Sequence, residues 1–126
     1  MSKDPNQWLL QADYDLAAAL TMLSGGRYLY VVFMCHLAIE KSLKGLYQKK
    51  LNEFPPKTHN LIYFLNKIGL KPPEHFGKFI VSLNEASVVT RYPEDLNLLQ
   101  KDYSKSIVED ILKKSQELLI WIKNQF

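Results

Sequence analysis

Apolar residues recur at intervals of three and four positions through most of this chain, which is the spacing that places side chains on one face of a helix. In residues 4–23 the pattern predicts an amphipathic first helix, with Asp4 as its cap and the glycines at 25–26 at its end. Residues 27–51 predict a second helix. Because its first half is apolar on every side, this helix is expected at the centre of a bundle, with Phe33 in the core.

Three more helices are predicted at residues 58–68, 73–88 and about 103–124, the first of them capped by Thr58. The stretch 90–93 is predicted to be a loop, since the residue before a proline avoids the helical region. No alternating pattern typical of a strand occurs. The chain of 126 residues is therefore predicted to be a single all-α domain, an up-and-down antiparallel bundle of four to five helices.

Charge and composition narrow the classes of protein to which the chain can belong. The formal net charge is only +3 and the lysines are spread along the chain, which favours solvated helix faces over a dedicated duplex-binding surface; nucleic acid stays among the candidate partners. No apolar stretch approaches the ~20 residues of a membrane span, and the N-terminus does not read as a signal peptide. The single cysteine, Cys35, can form no intrachain disulfide, so we expect a cytoplasmic protein without membrane contact.

Most motifs for catalysis or cofactor binding are absent from the sequence. It has no GxxxxGK[ST] phosphate loop, no GxGxxG turn and no His-Glu-x-x-His metal motif. The three histidines, His36, His59 and His75, lie on different segments; they could converge in space, but nothing in their spacing indicates it. We therefore expect neither a cofactor nor a metal site. His59 follows the predicted cap Thr58, and at a helix start a neutral, structural histidine is favoured.

A polar stripe interrupts the apolar second helix. His36, Glu40 and Lys44 are spaced by four residues and so share one face of the helix. Polar groups on a buried helix cost desolvation free energy unless they are paired or face a cleft. Two interpretations follow: an ion pair between Glu40 and Lys44 beside a hydrogen-bonded interior histidine, or the polar floor of a ligand pocket or partner interface.

A second candidate feature is the sequence Arg91-Tyr92-Pro93 in the predicted loop. An arginine can grip a phosphate, and a neighbouring tyrosine can stack on a base. The alternative is structural. Arg91 would then bind the last carbonyl groups of the preceding helix, and Tyr92 would fill the end of the core.

Five short motifs occur in the order and spacing of a known family and together cover nearly the whole chain. They are Ala12-Asp13-Tyr14-Asp15-Leu16, Gly26-Arg27-Tyr28, the run from Cys35 to Lys44, Lys57-Thr58-His59-Asn60-Leu61, and Thr90-Arg91-Tyr92-Pro93. On these residues the chain resembles the HEPN domain. The resemblance implies a bundle of four to five helices, usually dimeric, related to the helical half of aminoglycoside nucleotidyltransferases. It also implies a partner, a minimal nucleotidyltransferase, in a two-protein module of the toxin–antitoxin type.

Many HEPN domains are metal-independent ribonucleases, whose motif is an arginine followed a few residues later by a histidine. The only arginines here, Arg27 and Arg91, lack such a histidine, so ribonuclease activity is not carried over from the resemblance.

The first hypothesis is therefore a binding module for a nucleotide, for a nucleotidyltransferase partner, or for both. Its candidate ligand-binding residues are His36, Glu40, Lys44, Arg91 and Tyr92. Lys44 and Arg91 would contact phosphate, Tyr92 would stack, and Glu40 would orient His36 or Lys44. Two alternatives remain open: a divergent ribonuclease that combines Arg91 with His36 or His59, and a purely structural dimeric bundle.

A homodimer is predicted, and the sequence offers a candidate interface for it on the last helix. Leu112, Leu119 and Phe126 form a seven-residue series beside the main stripe of the last helix and would leave an apolar strip on a monomer, unless they widen the core stripe. Light scattering at micromolar concentration should therefore give a dimer mass. A mass near 14.6 kDa would contradict the dimer.

Overall fold

Six helices make up residues 4–126, the part of the chain that this computed structural model describes, and no strand occurs within that range. The helices are α1 (Pro5–Ser24), α2 (Tyr28–Leu51), α3 (Leu61–Ile68), α4 (Glu74–Arg91), α5 (Leu96–Asp102) and α6 (Lys105–Lys123). The prediction of an all-α helical bundle is confirmed.

The turn between α1 and α2 is set by a glycine. Gly26 has a φ of 73°, a left-handed conformation that costs glycine little, and the N–H of Arg27 donates to the carbonyl of Met22 at 2.9 Å. This Schellman-type end reverses the chain, so that α2 runs back along α1. An ion pair of 3.0 Å between Asp15 and Lys41, with the Asp15 side chain largely buried, fastens the two helices together.

Helix α2 lies at the centre, as its apolar composition predicts, and packs against α1, α3, α4 and α6. Its closest approach to α1 depends on Gly45. A Cβ atom at this position would lie 2.9 Å from Cβ of Trp8 and 3.0 Å from the carbonyl oxygen of Pro5. Any larger residue would therefore push the start of α1 away from α2.

The structure corrects three local predictions. Helix α3 is capped by Asn60, whose Oδ1 accepts from the N–H of Ile62 at 3.0 Å, and not by Thr58. Helix α4 continues through Thr90 and Arg91, so the predicted loop begins later, at Tyr92. Helix α5 was not predicted at all. None of its seven residues is buried, so it carries no core stripe that the pattern could reveal.

The predicted apolar strip on the last helix is wrong. Leu112 and Leu119 are 4% and 3% exposed and Phe126 is half-buried, so this series widens the core stripe of α6. The exposed apolar side chains of α6 are Ile107 and Ile120 instead, and Val88 and Val89 are exposed on α4. A charged substitution at Leu119 would therefore disturb the core and not an interface.

Phe33 is likewise not a core residue, because it is half-buried beneath Arg91, whereas Ile39 on the same helix is fully buried. We expect Ile39→Ala to lower the free energy of unfolding by about 2–5 kcal/mol, through lost transfer free energy and a residual cavity. Phe33→Ala should cost clearly less, although phenylalanine is the larger side chain. Urea unfolding followed by circular dichroism measures both, and equal losses would contradict this assignment of the core.

Candidate ligand-binding groove and polar cluster

The polar stripe on α2 forms a buried cluster with side chains from two other segments. Glu40, with a side chain only 3% exposed, accepts hydrogen bonds through separate oxygens from Lys44 Nζ at 2.9 Å and from His59 Nδ1 at 2.8 Å. His59 comes from the segment between α2 and α3, and its side chain is 63% exposed. The structure thus contains the Glu40–Lys44 ion pair and adds an exposed histidine held by the same carboxylate.

Asn84 on α4 connects this cluster to the start of α3. Its Oδ1 accepts from the backbone N–H of Leu61 at 3.0 Å and lies 3.5 Å from Nε2 of His36. Its amide nitrogen donates to Oδ1 of Asn60 at 3.3 Å. One side chain therefore joins α2, α3 and α4, and this explains why a polar group is retained there.

His36 lies at the buried end of the cluster and is fully shielded from solvent. Its Nδ1 has no hydrogen-bond partner and lies 3.8 Å from Oε1 of Glu40. Burial lowers the pKa of His36; Glu40 and Asn84 act in the opposite direction, whereas the charges of Arg91 and His59 add to the lowering. His36 is therefore neutral at physiological pH.

A groove of about 930 Å³ lies between the start of α2, the end of α4, α5 and the start of α6. We call it the cationic groove, because its lining within residues 4–126 includes three basic side chains and no carboxylate. The basic residues are Arg27, Arg91 and Lys105, and the aromatic residues are Tyr28, Tyr30, Phe33 and Tyr92. In a chain with 13 acidic residues, this local absence of acids makes the groove a favourable place for an anion.

Arg91 is held in place by an aromatic ring. Its guanidinium carbon lies 4.9 Å from the centroid of the Phe33 ring, a cation–π contact, and its buried Nε has no hydrogen-bond partner. Tyr92 is 83% exposed and so does not fill the end of the core. Both side chains keep their polar or aromatic groups available to a ligand in the groove.

The five predicted site residues therefore divide between two places. Arg91 and Tyr92 line the cationic groove, whereas His36, Glu40 and Lys44 belong to the buried cluster behind it. Sequence reasoning missed Tyr30 and Lys105, which the fold brings to the groove from the starts of α2 and α6.

A second groove, of about 640 Å³, lies between α4 and α6. Its charged residues are mixed: Glu85 and Asp110 accompany Lys114, and Lys114 is ion-paired with Asp110 at 2.9 Å. It is less suited to an anion than the cationic groove.

Other kinds of site find little support within residues 4–126. No three His, Cys, Asp or Glu side chains in that range converge as metal ligands, and none of its helices is long and apolar enough to cross a membrane. Cys35 is fully buried, and burial raises the pKa of its thiol to about 11. The thiolate, which is the reactive form, is therefore scarce at neutral pH.

Comparison with known proteins agrees with the sequence motifs. The sequence profile of the HEPN domain matches residues 5–125. This chain belongs to the HEPN domain family. The fold is shared with TT1696 from Thermus thermophilus, with a TM-score of 0.83 and 21% identity over 99% of this chain and 100% of that chain. It is shared too with ST0689, an archaeal HEPN homologue, with a TM-score of 0.78 and 23% identity over 98% of both chains. No curated protein matches the chain.

The ribonuclease alternative required an arginine and a histidine at one cleft. No histidine is among the residues that line the cationic groove of this HEPN domain with Arg91. His36 is fully buried, and His59 directs its Nδ1 to Glu40 in the polar cluster. Neither histidine is therefore placed with Arg91 among the residues that line the groove.

The buried cluster should contribute strongly to stability. We expect Glu40→Gln to lower the free energy of unfolding by about 2–4 kcal/mol, because it leaves the largely buried Lys44 ammonium without its carboxylate. Asp110→Asn is the matched control: it breaks a pair of the same i, i+4 spacing that is more than half exposed, and should cost under about 0.5 kcal/mol. Similar losses for the two variants in urea unfolding would show that the cluster is not special.

Proposed function

We propose that this HEPN domain is a nucleotide-binding module and that its ligand lies in the cationic groove. The observation that carries the proposal is the lining of that groove, in which three basic side chains and four aromatic rings occur without a carboxylate. A nucleotide combines an anionic phosphate with a flat aromatic base, and each of these groups finds its counterpart here.

The residues divide the work according to their chemistry. Arg91 binds phosphate, because its planar guanidinium offers several donors in a fixed geometry and Phe33 holds it in position. Arg27 and Lys105 add positive charge from the other walls. Tyr92 and Tyr30, which are 83% and 59% exposed, provide rings on which a base can stack.

The cluster of His36, Glu40 and Lys44 has a supporting role in this proposal. Lys44 is engaged by Glu40 and has little exposed surface, so phosphate contact is assigned to the groove residues instead. The cluster holds α2, α4 and the start of α3 in register, which keeps Arg91 and Phe33 opposite each other.

The proposal includes partners. As the resemblance to HEPN proteins implies, it includes assembly with a minimal nucleotidyltransferase in a toxin–antitoxin-like pair, and homodimer formation. The exposed Val81, Val88 and Val89 on α4 offer apolar surface for such contacts. The proposal also places the protein in the cytoplasm, where its single free cysteine would stay reduced.

Equilibrium titration at low salt, with ATP and with a short single-stranded RNA as probes, tests the binding function. We expect Arg91→Gln to weaken binding about tenfold or more, since a charge-assisted contact to phosphate contributes about 1.5–3 kcal/mol. Tyr92→Ala should weaken it through lost stacking. Lys71→Gln removes an exposed charge outside the groove and serves as the matched control.

The affinity of the wild-type protein should fall as salt rises, because phosphate contacts release counterions. The proposal would be contradicted if neither probe binds, or if the Arg91 and Lys71 variants lose the same amount of affinity.

A further inference from the structure

The cationic groove and the buried cluster both draw residues from α2 and α4, which pack against each other. On α2, Phe33 and His36 are one helical turn apart. On α4, Arg91 lies over Phe33 while Asn84 lies against His36. Arg91 and His36 thus meet the same α2–α4 packing surface, Arg91 through the Phe33 ring and His36 through Asn84, and the charge of Arg91 is among the influences that lower the pKa of the fully buried His36.

The hydrogen bonds around His36 leave its Nδ1 able to accept a proton. Oδ1 of Asn84 is identified as an acceptor by the Leu61 N–H that donates to it, so Nε2 of His36 must carry the hydrogen that faces it. In the neutral ring, Nδ1 is then a bare acceptor. It faces a second acceptor, Oε1 of Glu40, at 3.8 Å. A proton on Nδ1 would turn this unfavourable pair into a donor and an acceptor.

The charged groups that face His36 come from three segments. Glu40 on α2 favours the proton, and Lys44 offsets part of the Glu40 charge. Arg91 on α4 and His59 from the segment before α3 oppose it, as does burial. Of these opposing influences, only the charge of Arg91 lies in the groove, where a bound anion would compensate it.

We propose that binding of an anion in the cationic groove is coupled to protonation of His36, with Arg91 as the connecting side chain. This inference rests on the proposed function. An anion on Arg91 offsets the positive charge that opposes the proton, so His36 holds a proton more readily in the bound protein than in the free protein. The pKa of His36 is then higher in the anion-bound protein than in the free protein. By linkage, the anion binds more tightly as the pH falls from the bound-state pKa to the free-state pKa.

The first test needs no ligand. Histidine titrations followed by NMR should show that Arg91→Gln raises the pKa of His36 above its wild-type value, because the opposing charge is gone. Arg27→Gln is the matched control: it removes a cation from the same groove but not the one that acts on His36. The exposed His75 provides an internal reference. Circular dichroism verifies that each variant keeps its helices, and Arg91→Lys, which retains the charge, should leave the titration close to that of the wild type.

The second test adds a probe, the dinucleoside monophosphate UpU. Its phosphodiester keeps one charge across the range in which a phosphate monoester would titrate near pH ~6 and obscure the result. With UpU bound, the pKa of His36 should rise in the wild-type protein, and affinity should increase as the pH is lowered below the ordinary histidine pKa, because the pKa of His36 in the free protein lies below that value. In Arg91→Gln neither change should occur.

The outcomes separate the two proposals. Failure of UpU, and of the ATP and RNA probes, to perturb the groove residues would overturn the proposed function. Binding of UpU without any change at His36, or a His36 titration that is the same in Arg91→Gln as in the wild type, would overturn the coupling and leave the binding function standing.

Discussion

The arrangement of the groove depends on the interactions of the buried Glu40 carboxylate. This carboxylate is almost completely buried, so its charge is tolerable only because Lys44 and His59 donate to its two oxygens. His59 ties down the segment that leads into α3, and His36, beside Glu40, meets Asn84 of α4. The cluster therefore sets how α4 lies on α2, and this determines that Arg91 reaches the ring of Phe33.

Close packing of α1 on α2 provides the rigid base for this arrangement. Small residues make the approach possible: Ala12, Ala19 and Ala38 are fully buried, and Gly45 allows contact with Trp8. The left-handed conformation of Gly26 ends α1 immediately before the first basic residue of the groove, Arg27. The same turn thus makes the helical hairpin and places one wall of the binding site.

The sequence predicted the elements that bury a long apolar stripe. Residues 27–51 were predicted for what became Tyr28–Leu51, and α1 and α6 differ from their predicted bounds by similarly small amounts. Helix α5 was not predicted because it buries no residue. The exposed strip predicted around Leu119 was wrong because α6 faces the core over a wider arc than one stripe. Arg91 and Tyr92 could be chosen because they are adjacent in sequence, whereas Lys105 enters the groove only through the path of α5, which no local pattern encodes.

Helix α5 forms one wall of the cationic groove through Leu96 and Gln100, yet it contributes no buried side chain to the core. Its seven residues can therefore unfold locally at a small fraction of the free energy that global unfolding requires. Amide hydrogens in this helix would then exchange with solvent through openings that leave the rest of the bundle intact. The folding and unfolding of this wall is therefore an equilibrium separate from global unfolding. The width of the groove can change while the rest of the domain stays folded.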